Sequence, residues 1–285
     1  VGLLIFAAAG CGSVGGGQEV GGKVRVSATI TVLQDLVEQV GGDRVEVSTI
    51  VPVGGSPETF QPSPSDARKI SESRVVFQNG AGLEGWLDDL MQSAGGEDVR
   101  GVELARGLEV VDGNPHLWLD VSNAERYVEK IRDALIEADP EGADTYRTNA
   151  KEYLAGLEKL DSDIKEQARN IPKERRKLVT FHDAFPYFAR AYGFDMVGVI
   201  LQNPDAEPSG RKVADLVKRV EDEAVPAVFT EPQFNAKLAE TIAVEADVEV
   251  YELYTDTLQK KESAGSYEAL MRTNIDRIEE GLDGR

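Results

Sequence analysis

The chain has 285 residues, 41% of them hydrophobic and 29% charged, which is enough apolar material for a real core and suits one large domain or two ordinary ones. Its formal net charge of -20 argues against nucleic acid as a partner, since a polyanion would be repelled, and serves chiefly to keep the protein soluble. A single cysteine excludes an internal disulfide and any zinc site built from several thiolates, so a metal would have to be held by His, Asp, Glu or backbone oxygen.

Residues Val1 to Ala9 are apolar apart from one glycine, and Ala8-Ala9-Gly10-Cys11-Gly12-Ser13 follows. This resembles the apolar stretch and cleavage box of a bacterial lipoprotein signal, with Ala8 where Leu is usual. The resemblance implies cleavage before Cys11 and a lipid on its sulfur; the alternative is a disordered apolar terminus. The run is too short to span a bilayer. Gly15-Gly16-Gly17 and Gly21-Gly22 read as a flexible tether, so residues 1–22 form a signal and tether.

From Lys23 the pattern alternates between strand and helix. Val24 to Ala28 reads as a strand. Val32, Leu33, Leu36, Val37 and Val40 have helical spacing, closed by Gly41-Gly42. A second strand runs from Val45 to Val51, and Pro52 to Pro64 is a loop rich in Gly, Pro and Ser. Ser65 or Asp66 is expected to cap the next helix. Val75-Val76-Phe77 is a short buried strand, Trp86 to Met91 suggests a helix, and this first unit occupies residues 23–139.

Between Pro140 and Ile171, apolar residues recur every three or four positions: Ala143, Tyr146, Ala150, Tyr153, Leu154, Leu157, Leu160, Ile164, Ala168 and Ile171. With Asp139 as cap, Pro140 in the first turn and Pro172 as terminator, the spacing predicts a helix over 140–171, roughly 45 Å long at 1.5 Å per residue. It is either a long surface helix of one domain or a rod linking two lobes. A second unit, 172–285, has strands at Leu178–Phe181, Met196–Ile200, Ala227–Thr230 and Val248–Tyr251, with helical patterns between them and after them. Such alternation argues for an α/β fold with parallel sheets.

The chain has only two histidines, His116 and His182, each in a dense motif. A lone histidine is more often an ordinary hydrogen-bonded side chain than a ligand. Placement changes the weighing. Ligands bind at the carboxyl ends of strands in open α/β sheets. His182 directly follows a strand, Asp256 lies beyond the last strand, Glu58 lies in the Pro-rich loop after the second strand, and His116 lies in a loop ahead of a helix. Four metal-capable residues, two from each half, therefore fall on loops, which suits a site in a cleft.

These features come with five motifs in order: Gly42-Asp43-Arg44-Val45, Pro62-Ser63-Pro64-Ser65-Asp66, Asn114-Pro115-His116-Leu117-Trp118-Leu119-Asp120, Thr180-Phe181-His182-Asp183-Ala184-Phe185 and Phe229-Thr230-Glu231-Pro232-Gln233-Phe234. From Val24 onward the chain resembles the zinc- or manganese-binding solute receptors of bacterial ABC metal importers, some of them lipoproteins once called adhesins. The resemblance implies two α/β lobes with mainly parallel sheets, joined by one long rigid helix, with the metal in the cleft between them. It implies His116, His182 and Asp256 as ligands. The family's first ligand is usually a histidine in Asp-Pro-His; here Ser56-Pro57-Glu58 puts Glu58 in its place. A Glu58 carboxylate oxygen can still bind zinc, at about 2.0–2.2 Å, or Glu58 is simply a solvated loop residue. Glu231 resembles a carboxylate that orients a ligand imidazole. Asp120 and Asp183 have a weaker claim to that role and could equally cap helices.

Two neutral histidines, Glu58 and Asp256 would leave a divalent ion neutral overall. The mixed nitrogen and oxygen set tolerates manganese, while raw affinity favours zinc; the expected cargo is Zn²⁺, with Mn²⁺ next. The resemblance further implies an extracytoplasmic monomer, held at the membrane by its lipid, that hands the ion to an importer permease and engages the ATPase only indirectly. An adhesin or scaffold without tight metal binding is the alternative. A metallohydrolase is the weaker one, because the chain has no His-Glu-x-x-His helix, no Gly-x-Ser-x-Gly elbow and no P-loop.

Overall fold

The computed structural model describes residues 22–95, 99–202, 208–259 and 264–283. Cys11 and its surrounding segment lie outside the described residues. Strands β1 (Val24–Ala28), β2 (Val45–Thr49), β3 (Val75–Gln78) and β4 (Arg100–Glu103) form one parallel sheet in the order β2-β1-β3-β4. Strands β5 (Lys177–His182), β6 (Asp195–Leu201), β7 (Ala227–Thr230) and β8 (Glu249–Glu252) form a second, in the order β6-β5-β7-β8. The two sheets thus have the same connectivity. Each reverses direction beside its first strand, which opens a crevice at the carboxyl ends of β1 and β3 and of β5 and β7.

Helices α1 (Thr31–Gly41), α2 (Pro64–Ser71), α3 (Leu87–Ser93) and α4 (Val121–Ala138) accompany the first sheet. Helices α6 (Pro186–Tyr192), α7 (Gly210–Asp222), α8 (Lys237–Glu245) and α9 (Tyr267–Asp283) accompany the second. All four residues of β7 are buried, as expected of an inner parallel strand covered on both faces. Strand β4 is the opposite case. It has no buried residue, so its apolar signal is too weak to be seen in the sequence.

The long helix is α5, Ala143–Asn170, 28 residues or about 42 Å. It starts later than periodicity suggests, because Pro140–Gly142 forms a 3₁₀ turn. Asp139 does not cap it. Its Oδ2 accepts from Arg44 Nε at 2.9 Å and from the Tyr146 hydroxyl at 2.7 Å, fixing the base of α5 to the turn before β2. The cap of α2 also lies elsewhere than expected. Ser63, held extended ahead of Pro64, is the N-cap, and its N–H and Oγ both donate to Asp66 Oδ2, at 3.0 and 2.7 Å.

One hydrophobic core cluster contains side chains from both halves. It runs from Val26 and Phe77 through Leu157, Leu160 and Ile164 of α5 to Phe229 and Ile278. Helix α1 strengthens the joint. Thr31 Oγ1 accepts from the Leu258 N–H at 2.7 Å, and Asp35 Oδ2 accepts from the Tyr267 N–H at 2.9 Å.

Candidate metal centre

His116 reaches its place through a relay of polar contacts. The Tyr127 hydroxyl donates to Asn79 Oδ1 at 2.6 Å, and Asn79 Nδ2 donates to the Pro115 carbonyl at 2.8 Å. The Asn114 amide is oriented by its Nδ2 donating to the Asp183 carbonyl at 2.5 Å. Its Oδ1 therefore faces His116 and lies 3.0 Å from both the backbone N and Nδ1. An oxygen acceptor at that distance requires a proton on Nδ1, so Nε2 carries a bare lone pair.

His182 is the last residue of β5, at the crevice of the second sheet. Its Nδ1 lies 2.6 Å from Glu231 Oε1, at the end of β7. The other carboxylate oxygen of Glu231 accepts from Thr255 Oγ1 at 2.5 Å and from Gln233 Nε2 at 3.0 Å. Glu231 thus holds the ring by its Nδ1, and Nε2 points away from the carboxylate. In the first sheet the matching crevice is filled by protein. Buried Glu84 accepts from Thr29 Oγ1 at 2.6 Å and from the Asn79 and Gly80 N–H groups at 2.8 and 3.0 Å.

Asp256 lies on the segment after β8, which is pinned from both sides. The Tyr254 N–H and carbonyl pair with the Asn274 amide at 2.8 and 2.7 Å, and Trp118 Nε1 donates to the Thr255 carbonyl at 3.1 Å. The Trp118 of the Asn-Pro-His-Leu-Trp motif is therefore a fully buried strut across the two halves.

Donor atoms of Glu58, His116 and His182 cluster, and Asp256 meets that cluster through His116. His116 Nε2 lies 3.2 Å from His182 Nε2, 3.5 Å from Glu58 Oε1 and 3.5 Å from Asp256 Oδ1. Donor atoms of Glu58, His116 and His182 all lie within 4.8 Å of one another. Asp256 Oδ1 is buried without a hydrogen-bond partner. Two nitrogens bound to one tetrahedral ion at about 2.0–2.1 Å would stand about 3.3 Å apart. The spacing of the two imidazoles fits that. The set lies inside the fold, with side-chain exposure of 2% for His116, 1% for His182 and Asp256, and 23% for Glu58.

The electrostatics follow from the same contacts. Burial and the neighbouring His182 hold His116 well below the usual histidine pKa. Burial also disfavours charge on His182, but the Glu231 carboxylate outweighs it, aided by Asp256 and Glu58, and raises His182 to about 9. Burial, with repulsion from Glu231 and Glu58, pushes Asp256 up to about 7 against the pull of His182. Without an ion, one proton on His182 Nε2 lies between the two rings and relieves the repulsion of their lone pairs.

The other two carboxylates suggested by sequence are placed differently. Asp120 Oδ1 accepts from the Ser122 N–H at 2.9 Å and caps α4. Asp183 enters the network through its backbone carbonyl. Asn114, Gln233, Thr255 and Trp86 contribute contacts that sequence reading did not assign. Asn114 and Gln233 stand inside the quoted motifs, but their roles depend on which way an amide points.

The model of the family described as zinc-uptake complex component A, periplasmic, matches residues 26–281. The chain belongs to that family. Zinc-uptake component A proteins are substrate-binding receptors of metal ABC transporters and not enzymes. The manganese-binding lipoprotein MntA of Halalkalibacterium halodurans is 38% identical over 287 residues, covering 98% of this chain and 96% of its own. The iron ABC transporter substrate-binding lipoprotein MtsA of Streptococcus pyogenes is 31% identical over 298 residues, covering 98% and 96%. Among solved structures, a manganese-bound mutant of a periplasmic metal binding protein from Candidatus Liberibacter asiaticus matches with a TM-score of 0.84 at 25% identity, over 91% of this chain and 100% of that one. The two-sheet α/β architecture with its long helix agrees with that likeness.

Proposed function

We propose that this chain captures one divalent transition-metal ion on His116 Nε2, His182 Nε2, Asp256 Oδ1 and Glu58 Oε1 and delivers it to an ABC importer permease. The observation that carries this is the convergence of lone pairs. Each imidazole commits its Nδ1 to an oxygen acceptor, so the two Nε2 atoms are left facing each other at 3.2 Å, beside an unpartnered buried carboxylate oxygen. A proton relieves one of these repulsions; a divalent cation relieves all of them. Two neutral imidazoles and two carboxylates leave the occupied site without net charge.

The ion is cargo. Of the two expected cargoes Zn²⁺ binds this mixed set more tightly than Mn²⁺ in vitro, since the intrinsic order of divalent affinities places manganese lowest; the ion carried in the cell depends on availability. Relatives named for manganese and iron and a family named for zinc agree with a site that discriminates weakly. We place the protein outside the cytoplasm, as a monomer anchored by lipid on Cys11, a reading supported by relatives named as lipoproteins. No helix among the described residues is long and apolar enough to cross a membrane.

Parallel calorimetric titrations of the metal-stripped protein with Zn²⁺ and Mn²⁺ test the proposal. One ion per chain is expected, with Zn²⁺ tighter, and His182→Ala should lose most of the affinity while keeping the fold. Absence of binding, or a His182→Ala variant that binds as well as the parent, would overturn it.

A further inference from the structure

Three of the four groups are buried inside the protein, and the fourth is partly exposed. His116 leans on Asn114 and Trp118, His182 on Glu231 and the edge of Phe234, and the Asp256 segment on Asn274 and Trp118. Glu58 is the one with appreciable exposure and sits on a loop, so it is the member of the set that faces solvent. What fixes that loop therefore fixes where Glu58 lies.

The loop leaves the first sheet after Val51, whose N–H donates to the Thr29 carbonyl at 2.9 Å, and turns at Gly54, which has φ +82°. Beyond the turn, Trp86 Nε1 donates to the carbonyl of Pro57, the residue immediately before Glu58, at 2.8 Å. Phe60 then packs edge-on against the Trp86 ring, with centroids 5.1 Å apart. Trp86 thus holds the loop on both sides of Glu58. It stands at the start of α3, where Leu87 and Leu90 pack into a small core with Ile50, Ile70 and Val76. The base is firm, and the indole N–H is a directional contact that a plain apolar ring would not supply.

We propose that Trp86 is a positioning residue for Glu58: its indole, through the Pro57 carbonyl and the Phe60 ring, holds the carboxylate over the centre and thereby sets how fast a bound ion leaves. This rests on the metal-receptor reading above. A glutamate carboxylate sits on a longer arm than an imidazole, so where it lies over the centre depends on where the loop backbone on either side of Glu58 is held. Thr257 adds a clasp from the other half, where its Oγ1 accepts from the Gly54 N–H at 3.3 Å next to Asp256.

The test uses Co²⁺, whose visible absorption reports coordination, with release into excess chelator followed by stopped flow for wild type, W86F, E58A and the double variant. W86F keeps ring bulk against Phe60 and removes the N–H. It should speed release roughly five- to tenfold, the size of one neutral hydrogen bond, and weaken or shift the Co²⁺ bands. In the E58A background the same change should have no effect, because the residue through which Trp86 acts is gone. An equal acceleration in both backgrounds, or none in the wild-type background, overturns the proposal. Should W86F fail to fold, Phe60→Leu loosens the same anchor from the loop side and should show the same dependence on Glu58; an effect independent of Glu58 overturns the proposal. If wild type takes up no Co²⁺, Zn²⁺ or Mn²⁺, the receptor reading itself has failed. If wild type binds tightly and the variants release at its rate, only the role of Trp86 has.

Discussion

At the scale of single residues, the proposed centre sets a proton against a metal ion for the same lone pairs. His182 lies at about 9 in the metal-free protein and Asp256 at about 7, while His116 stays neutral well below the usual histidine range. The sign follows directly. A ligand must lose its proton to bind, so metal affinity rises with pH and uptake releases protons. Between pH 9 and 7 one proton is displaced, and affinity should fall about tenfold per unit. Below pH 7 Asp256 also takes up a proton, and the fall should steepen towards about a hundredfold per unit. Titrations in buffers of different ionisation enthalpy, counting protons released at pH 8 and pH 6, check this. An affinity flat across that range would remove the imidazole from the coordination sphere. The residues of this contest were partly legible in the sequence. Rarity and motif marked His116 and His182, and position after strands marked Asp256 and Glu58. The proton balance was not, because it depends on Asn114 presenting oxygen and Glu231 presenting charge to otherwise similar rings.

At the scale of elements, α5 shows how strong periodicity makes a helix visible and why its edges are not. Tyr146, Ala150, Leu157, Leu160, Ile164 and Ala168 are buried at helical spacing, so the element could be read without a structure. Its start could not, since Pro140–Gly142 form a 3₁₀ turn and Asp139 pairs with Arg44, a partner 95 residues away that no local pattern reveals. Likewise β4 escaped because an exposed edge strand carries little apolar signal, and the Ser63 cap escaped because three candidate capping residues lie within four positions. The buried stripe of α5 faces the shared core, where Leu160 is wholly enclosed. Leu160→Ala removes most of a side chain from a packed site and should cost about 2–5 kcal/mol of stability. Denaturant unfolding of the metal-free variant measures it. A loss below about 1 kcal/mol would mean that the helix lies loosely on the core.

At the scale of the whole molecule, the two sheets repeat one topology and share one interior, beside which each keeps a smaller core of its own. A single core cluster contains β1 and β3 side chains, the inner face of α5 and the buried faces of β7 and α9. Buried hydrogen bonds from Thr31, Asp35 and Trp118 to the second half cross the same joint. Opening one half would expose apolar surface belonging to the other, so the metal-free protein should unfold in one cooperative transition. The proposed ion draws two donors from each half, so it should stabilise the joint and shift that one transition as a unit. For an ion at 100 times its dissociation constant the gain is about 2.7 kcal/mol. At about 2–4 °C per kcal/mol for a chain of this size, the midpoint should rise by about 5–10 °C. Scanning calorimetry with and without Zn²⁺ distinguishes the alternatives. Two resolved transitions, only one of them moved by metal, would show that the shared core does not couple the halves. An unmoved single transition would instead show that the convergent lone pairs hold no ion.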